Sequence, residues 1–169
     1  MVQKESTITW KQHNDLTLPD SFFEDIPLEQ QKNIAYSLYS VDETALNNLL
    51  SQVPDGKKTN AMDSKAIIDF PHPNGTLIPF KIVSTTLMEK ALADKFPELK
   101  TYEGISSESS NTLIRITGNE VGVDAMILSE EGTYYIQAIE FKSIPMYLVY
   151  FKKDFIYNKA NEFFETFEK

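Results

Sequence analysis

The chain has 169 residues, of which 41% are hydrophobic and 24% charged, proportions typical of a folded globular protein rather than a disordered one. Its formal net charge of −9 would repel phosphate backbones and anionic lipid headgroups, so neither nucleic acid nor a membrane surface is an expected partner. It has no cysteine, which excludes structural disulfides, thiolate metal sites and thiol-based regulation.

The sequence shows no linker and no internal repeat, and its length suits one hydrophobic core. We divide it into an N-terminal arm over residues 1–32, a core over 33–155, and a C-terminal helix or tail over 156–169. Residues 1–10 lack the apolar segment of a signal peptide, and no stretch has the length of an apolar membrane span. We therefore expect either a cytosolic protein or an exported one whose signal is absent from this chain.

The core begins with a predicted strand and helix. Residues 33–41 alternate apolar with small or polar side chains, which is typical of a strand with one buried face. Ser40 followed by Glu43 resembles a capping box and predicts the start of a helix, which should end at Pro54-Asp55-Gly56. The apolar side of this helix is expected to consist of Ala45, Leu46, Leu49, Leu50 and Val53.

A β-hairpin and a second helix are predicted next. Residues 66–70 and 77–83 have strand character and flank a turn that contains Asn74-Gly75. Asn-Gly between two such segments is a strong hairpin signal, because both residues readily adopt positive φ. Thr86 and Glu89 form a second capping box, which predicts a helix that Phe96-Pro97 ends.

The remainder of the core is predicted to be an antiparallel meander, because strand-like segments alternate with short polar turns. These segments are residues 112–117, 121–129, 133–138 and 146–151. Residues 158–169 place several phenylalanines either on a helical face or in an apolar tail. The predicted fold class is α+β: an antiparallel β-sheet meander with two main helices packed on it and a possible C-terminal helix.

The residues offer little for catalysis or metal binding. His13 and His72 have no second His, Cys or acidic residue at metal-ligand spacing, and both fit exposed loop positions. The sequence contains no His-Glu-x-x-His motif, no Gly-x-Ser-x-Gly elbow and no phosphate-binding glycine loop. We interpret the Glu130-Glu131 turn as a solvated hairpin loop rather than a cation site. Catalytic residues, metal ligands and a cofactor are therefore not expected.

Several motifs nevertheless occur in the order found in one known family. They are Pro73-Asn74-Gly75-Thr76, Phe80-Lys81-Ile82, and residues 92–104, 112–116, 122–128, 132–136 and 147–154. This set resembles the N-terminal prodomain of secreted bacterial reprolysin-like (metzincin) zinc metalloproteases, over residues 33–155. Asp124 stands where the family commonly has histidine, and residues 105–110 replace a glycine-rich turn.

The resemblance implies a propeptide that precedes a zinc protease domain, assists its folding, covers its active-site cleft and is removed on activation. It also implies a secreted or periplasmic location, with the signal peptide absent from this chain, and a cognate metalloprotease catalytic domain as the partner. The chain itself would not be an enzyme, because the catalytic domain with its zinc motif is not among these residues.

The resemblance also bears on how such a propeptide would inhibit. Without a cysteine no thiolate can occupy the partner's zinc, so inhibition requires either a carboxylate ligand or steric cover. The residues expected to bind the partner are Tyr102, Glu103, Gly104 and Asp124. Glu103 and Asp124 are the candidate carboxylates.

Two other functions remain open. One is a free-standing secreted or periplasmic binding module, which would recruit a protein by strand addition at the edge of the meander. The other is a small hydrolase, which would need two carboxylates close together in a pocket.

Overall fold

The computed structural model describes residues 8–16, 18, 35–85, 100–118 and 122–154. These residues form one antiparallel sheet of nine strands, curled into a half-barrel, and one α-helix, α1, at Glu43–Ser51. The strands are β1 Lys11–Gln12, β2 Ser37–Ser40, β3 Ile67–Pro71, β4 Leu77–Thr85, β5 Lys100–Ser106, β6 Leu113–Gly118, β7 Val123–Ser129, β8 Gly132–Phe141 and β9 Ile144–Phe151. Their order is β1-β2-β9-β8-β7-β6-β5-β4-β3, so a continuous meander from β3 to β9 is extended by β2 and β1.

The predicted α+β fold class is wrong, because the described part of the chain is mostly β and α1 is its one α-helix. The sheet is larger than predicted since β5 joins the hairpin to the meander and β1 and β2 lengthen the other side. The second predicted helix, from Thr86, and the predicted C-terminal helix or tail lie outside the described residues. Among the described residues, no helix is long and apolar enough to cross a bilayer.

The hairpin and the meander are confirmed. β3 pairs with β4 from Ile67↔Lys81 to Pro71↔Leu77, and Gly75 in the connecting turn has a φ of 93°. Glycine adopts this angle without the steric cost that a Cβ atom brings, which explains the strength of the Asn-Gly signal. Strands β6 to β9 lie at the four predicted segments and pair antiparallel in sequence order.

The main core lies on the inner face of the curled sheet, where alternate strand residues meet α1. Leu46 and Leu50 of the helix are buried there, and Leu49 is half-buried at the side of the contact. The helix begins differently from the prediction: Asp42 is the N-cap, and its carboxylate accepts a hydrogen bond from Ala45 N at 3.1 Å. Ser40, the predicted cap, is the last residue of β2.

The outer face of the sheet carries a second, smaller core over β7 to β9. Residues from the N-terminal side of β2, including the buried Leu18 and the half-buried Leu16 and Tyr36, pack on it. The part of the predicted arm that the structure describes therefore packs on the sheet.

Side chains, rather than a strand ladder, join the two edges of the curled sheet. Three donors from the β1 and β2 side reach three backbone carbonyl groups of the β3–β4 hairpin. The bonds are Trp10 Nε1 to Asp69 O at 2.8 Å, Ser37 Oγ to Pro73 O at 2.9 Å, and Tyr39 Oη to His72 O at 3.3 Å. Trp10 also packs against Phe70 of β3, with ring centroids 6.0 Å apart, so the contact between the edges is aromatic as well as polar.

Candidate functional site

The four predicted partner-binding residues lie in the sheet but on opposite faces of it. Tyr102, Glu103 and Gly104 are consecutive in β5, so Tyr102 and Gly104 are buried on the inner face while Glu103 is exposed on the outer face. Asp124 lies half-buried on the outer face of β7, two strands away. Among these four, Glu103 presents the most accessible side chain to a partner.

Gly104 has a packing role where β4, β5 and β6 meet. A Cβ atom at this position would lie 2.5 Å from Lys81 O and 2.6 Å from Ile82 Cδ1, closer than real Cβ atoms approach. Tyr102 beside it belongs to the main core, and burial raises the pKa of its phenol. Both residues therefore stabilise the packing of the sheet.

Asp124 completes the hydrogen bonding of the neighbouring strand. Its Oδ1 accepts a hydrogen bond from Ala138 N at 2.8 Å, just beyond the last β7–β8 pair at Ala125↔Ile136. The carboxylate thus takes the place of a backbone acceptor where the ladder ends. Glu103 instead lies opposite Arg115 of β6, with its carboxylate on the exposed face.

A row of directly opposed residues crosses the outer face of five strands, and we call it the outer row. It consists of Ile67, Lys81, Ile105, Leu113 and Leu128. Ile67, Leu113 and Leu128 are 49%, 45% and 37% exposed, and Met62, whose carbonyl accepts from Lys81 Nζ, is 63% exposed. Lys81 and Ile105 are half-buried, and Lys81 separates Ile67 from the neighbouring pair Leu113 and Leu128. Exposed apolar side chains that lie side by side, as Leu113 and Leu128 do, are typical of a surface that another molecule covers.

An acidic turn lies at the end of the hairpin that carries Leu128. Glu130 and Glu131 form the turn between β7 and β8, which Ser129 Oγ closes by donating to Gly132 O at 2.7 Å. Glu130 Oε1 accepts from Asn111 Nδ2 at 2.7 Å. The Glu131 side chain is 67% exposed, and its Oε1 lies 3.5 Å from His72 Nε2.

The prediction that both histidines are exposed loop residues is wrong. His72 is 4% exposed, and its ring packs edge-on against Tyr134 and Phe151 at centroid distances of 4.8 and 5.5 Å. His13 is half-buried, with its Nε2 2.7 Å from Ser40 Oγ. Turn residues are usually exposed, but here the curled sheet brings β8 and β9 against the hairpin turn.

Glu43, Tyr147 and Val123 form a polar cluster on the inner face that the sequence did not indicate. Tyr147 Oη donates to Glu43 Oε2 at 2.9 Å and accepts from Val123 N at 3.3 Å. Desolvation by burial raises the pKa of the Glu43 carboxyl; the hydrogen bond from Tyr147 offsets part of this rise, and the negative charge of Asp42 adds to it. Burial also raises the pKa of Tyr147, so its phenol remains the proton donor. The cluster ties the first turn of α1 to β7 and β9.

This cluster contains one half-buried carboxylate, not the pair that a hydrolase would need. No Asp or Glu is among the fully buried side chains of the described residues. Within the same ranges, no three His, Cys, Asp or Glu side chains are grouped so that they could hold a metal ion.

No family model, no curated protein and no solved structure matches this chain. The resemblance to reprolysin-like prodomains therefore rests on the order of the sequence motifs.

Proposed function

We propose that this chain is a non-catalytic propeptide that assists the folding of a reprolysin-like zinc metalloprotease domain and inhibits it by covering its active-site cleft. The observation that supports this proposal best is the set of exposed apolar side chains in the outer row, Ile67, Leu113 and Leu128. Covering such side chains removes apolar area from water and so favours association. The order of the sequence motifs is what supports a reprolysin-like catalytic domain as the partner.

The strength of the interaction follows from how the two parts are connected. A detached propeptide loses translational and rotational freedom when it binds, a cost of about 4 to 15 kcal/mol that a covalently attached one largely avoids. We therefore expect the separate chain to bind with a dissociation constant in the micromolar range, which corresponds to a binding free energy of about −8 kcal/mol. In the joined zymogen, a larger fraction of active sites should be covered.

The two candidate carboxylates do not support inhibition equally. Asp124 accepts a hydrogen bond from Ala138 N, so Asp124→Asn can change the stability of the β7–β8 pairing as well as inhibition. Glu103 is exposed on the face of the outer row, and Glu103→Gln removes a charge there without removing a buried contact. Both variants belong in the inhibition assay, with thermal melting as a check of folding.

The experiment adds the purified chain to a bacterial reprolysin-like catalytic domain and measures peptide cleavage. We expect the chain to slow cleavage, and Leu113→Asp to weaken inhibition by about tenfold or more, equivalent to about 1.4 kcal/mol. Ile144→Asp is the matched control, because Ile144 is also an exposed apolar residue, at 58%, but lies outside the outer row.

Two results would count against the proposal. If the chain neither inhibits the catalytic domain nor improves its refolding, the propeptide function is wrong. If the Leu113→Asp and Ile144→Asp variants of the chain inhibit the catalytic domain equally well, the outer row is not the surface that binds the protease.

The alternative is a free-standing binding module that adds a partner's strand to the sheet edge. The β3 edge is poorly suited to this, because Asp69 O already accepts from Trp10 Nε1. Strand addition requires such edge carbonyl groups to be available to the incoming chain. The exposed apolar residues of the outer face therefore favour the propeptide function over strand addition at the β3 edge.

A further inference from the structure

Two neighbouring strands, β5 and β6, carry matching side chains on the outer face of the sheet. The outward-facing residues form three directly opposed pairs, which are Thr101↔Thr117, Glu103↔Arg115 and Ile105↔Leu113. One pair consists of two hydroxyl groups, one of an acid and a base, and one of two apolar side chains. The two strands therefore present the same order of side-chain types, with opposite charges at the middle position.

The charged pair on these strands is available to another molecule. Glu103 and Arg115 are both exposed, and within the part of the chain that the structure describes neither side chain forms an ion pair or a hydrogen bond. Leu113, on the same face of β6, is 45% exposed, and its neighbour Leu128 in β7 is 37% exposed. An acid, a base and apolar side chains thus lie together on one exposed surface.

A second copy of this chain carries the surface that complements this one. Consider a two-fold axis in the plane of contact, parallel to the strands and midway between β5 and β6. It places β6 of one copy over β5 of the other, so each residue faces its own cross-strand partner in the second copy. Glu103 then faces Arg115 of the second copy, and Ile105 faces Leu113 of the second copy. Stacked sheets lie about 10 Å apart, which allows such side chains to meet.

We propose that the separate chain forms a symmetric dimer through the outer faces of β5 and β6. The apolar side chains of Ile105 and Leu113 supply the attraction, because the contact removes them from water. The two Glu103–Arg115 contacts fix how the copies are arranged and add little affinity, since exposed ion pairs contribute little. This inference concerns the chain alone and does not depend on the identity of a protease.

The dimer is weak for two reasons. The sheet is curled and this is its outer face, so the two copies curve away from each other on both sides of the contact. Each copy also has a net charge of −9, and the resulting repulsion is screened only beyond about 8 Å at physiological salt. A narrow contact of this kind belongs with weak, transient interfaces, and we expect a dissociation constant of about 100 μM.

Self-association regulates the same surface that the proposed function uses. Leu113 lies in both contacts, so a copy within the dimer cannot cover a protease through this surface at the same time. A protease domain that binds with a dissociation constant of about 1 μM would displace the second copy. The dimer therefore covers the exposed leucines in concentrated solutions of the separate chain and gives way to the tighter partner.

Sedimentation equilibrium of the purified chain, from about 10 μM to about 1 mM, measures this association. The unmodified chain should change from monomer to dimer across this range. Leu113→Asp should weaken the dimer by about tenfold or more, because it places an acid in the apolar contact. Ile144→Asp is the matched control, since Ile144 is 58% exposed but lies on β9, and it should dimerise like the unmodified chain.

Charge reversal tests how the two copies are arranged. Glu103→Arg leaves only bases at the middle position and Arg115→Glu leaves only acids, so each variant alone should dimerise about tenfold or more weakly. An equimolar mixture of the two variants should recover the dimer, because every acid then faces a base. Glu140→Arg makes the same change in net charge at an exposed position on β8, and it should dimerise like the unmodified chain.

The outcomes separate this inference from the proposed function. A chain that stays monomeric at about 1 mM contradicts the dimer and leaves the inhibition assay to decide the proposed function. A dimer that Leu113→Asp leaves unchanged, or a mixture of the charge variants that associates no better than either alone, shows that the contact is not the one proposed here. Thermal melting checks the folding of each variant, and if Leu113→Asp is unfolded, the two charge variants decide.

Discussion

Because Gly122 has no side chain, the buried hydroxyl group of Tyr147 can lie directly beside it. A Cβ atom on Gly122 would lie 2.4 Å from Tyr147 Oη, so Gly122→Ala should displace the hydroxyl from Glu43 and from Val123 N. Leaving such buried groups unpaired costs about 1 to 3 kcal/mol each, and urea unfolding should show a loss of that order.

Gly118→Ala is the control for this prediction. A Cβ atom there would lie 3.6 Å from Lys100 O, an ordinary van der Waals contact. If the two variants lose equal stability, the loss in Gly122→Ala does not come from displacement of the Tyr147 hydroxyl group.

Glu43 makes the stability of the fold depend on pH. Burial raises the pKa of its carboxyl above the ordinary value of 4.5, so the folded state binds the proton more tightly than the unfolded state does. Stability should therefore fall as pH rises from about 4.5 through the raised folded pKa, and recover on acidification across the same window.

Glu43→Gln removes this titration while its amide oxygen still accepts from Tyr147. We expect the variant to be more stable than the unmodified chain at neutral pH, with the difference shrinking toward acidic pH. Urea unfolding of both proteins across this range measures it. A variant less stable at neutral pH would show that the ionised carboxylate is the better partner for Tyr147.

Among the elements, α1 contributes to the core mainly through two leucines. Leu46 is fully buried, so Leu46→Ala should cost on the order of 2 to 5 kcal/mol in the free energy of unfolding. Leu49 was predicted to lie on the same buried side but is only half-buried, so Leu49→Ala should cost clearly less. Chemical denaturation of the two variants compares them, and an equal cost would mean that the helix is rotated relative to this packing.

The turn between β8 and β9 contains backbone strain. Lys142 and Ser143 have φ values of 51° and 67°, a region that costs L-residues about 1 to 2 kcal/mol each. Asparagine and glycine suit this turn, so the double variant Lys142→Asn, Ser143→Gly should raise the melting temperature. A lower melting temperature would indicate that the original side chains make stabilising contacts that outweigh the strain.

The sequence predicted those elements whose signals are local. The Asn74-Gly75 turn and the alternating strands up to Phe151 were found because turn chemistry and period-two burial lie within each segment. β5 was missed because Lys100, Glu103 and Gly104 interrupt its apolar alternation. β1 was missed because its pairing with β2 depends on a partner distant in sequence.

The same limit applied to the candidate site. Asp124 was predicted to be a possible carboxylate ligand of the partner's zinc. Its hydrogen bond with Ala138 N was not predicted, because this contact depends on where the pairing of β7 with β8 ends. Glu131 was interpreted as a solvated turn residue, which agrees with its 67% exposed side chain, but its proximity to His72 was not predicted because no local pattern connects the two residues across the curled sheet.

At the scale of the whole molecule, the two faces of the sheet have different roles. The inner face is filled by α1 and aromatic side chains, and the outer face of β7 to β9 is covered by residues near Leu18. Ile67, Leu113 and Leu128 of the outer row remain exposed, and the acidic turn follows the strand that carries Leu128. Among the described residues, this arrangement leaves these apolar side chains exposed on the outer face.

Calorimetric titration of the intact chain into a bacterial reprolysin-like catalytic domain at several temperatures tests this account most directly. We predict one-to-one binding with a dissociation constant of about 1 μM and a negative heat-capacity change, because apolar surface is buried. Leu113→Asp should weaken the binding, and Ile144→Asp should not. No saturable binding at concentrations of about 1 mM, or binding that Leu113→Asp leaves unchanged, would contradict the account.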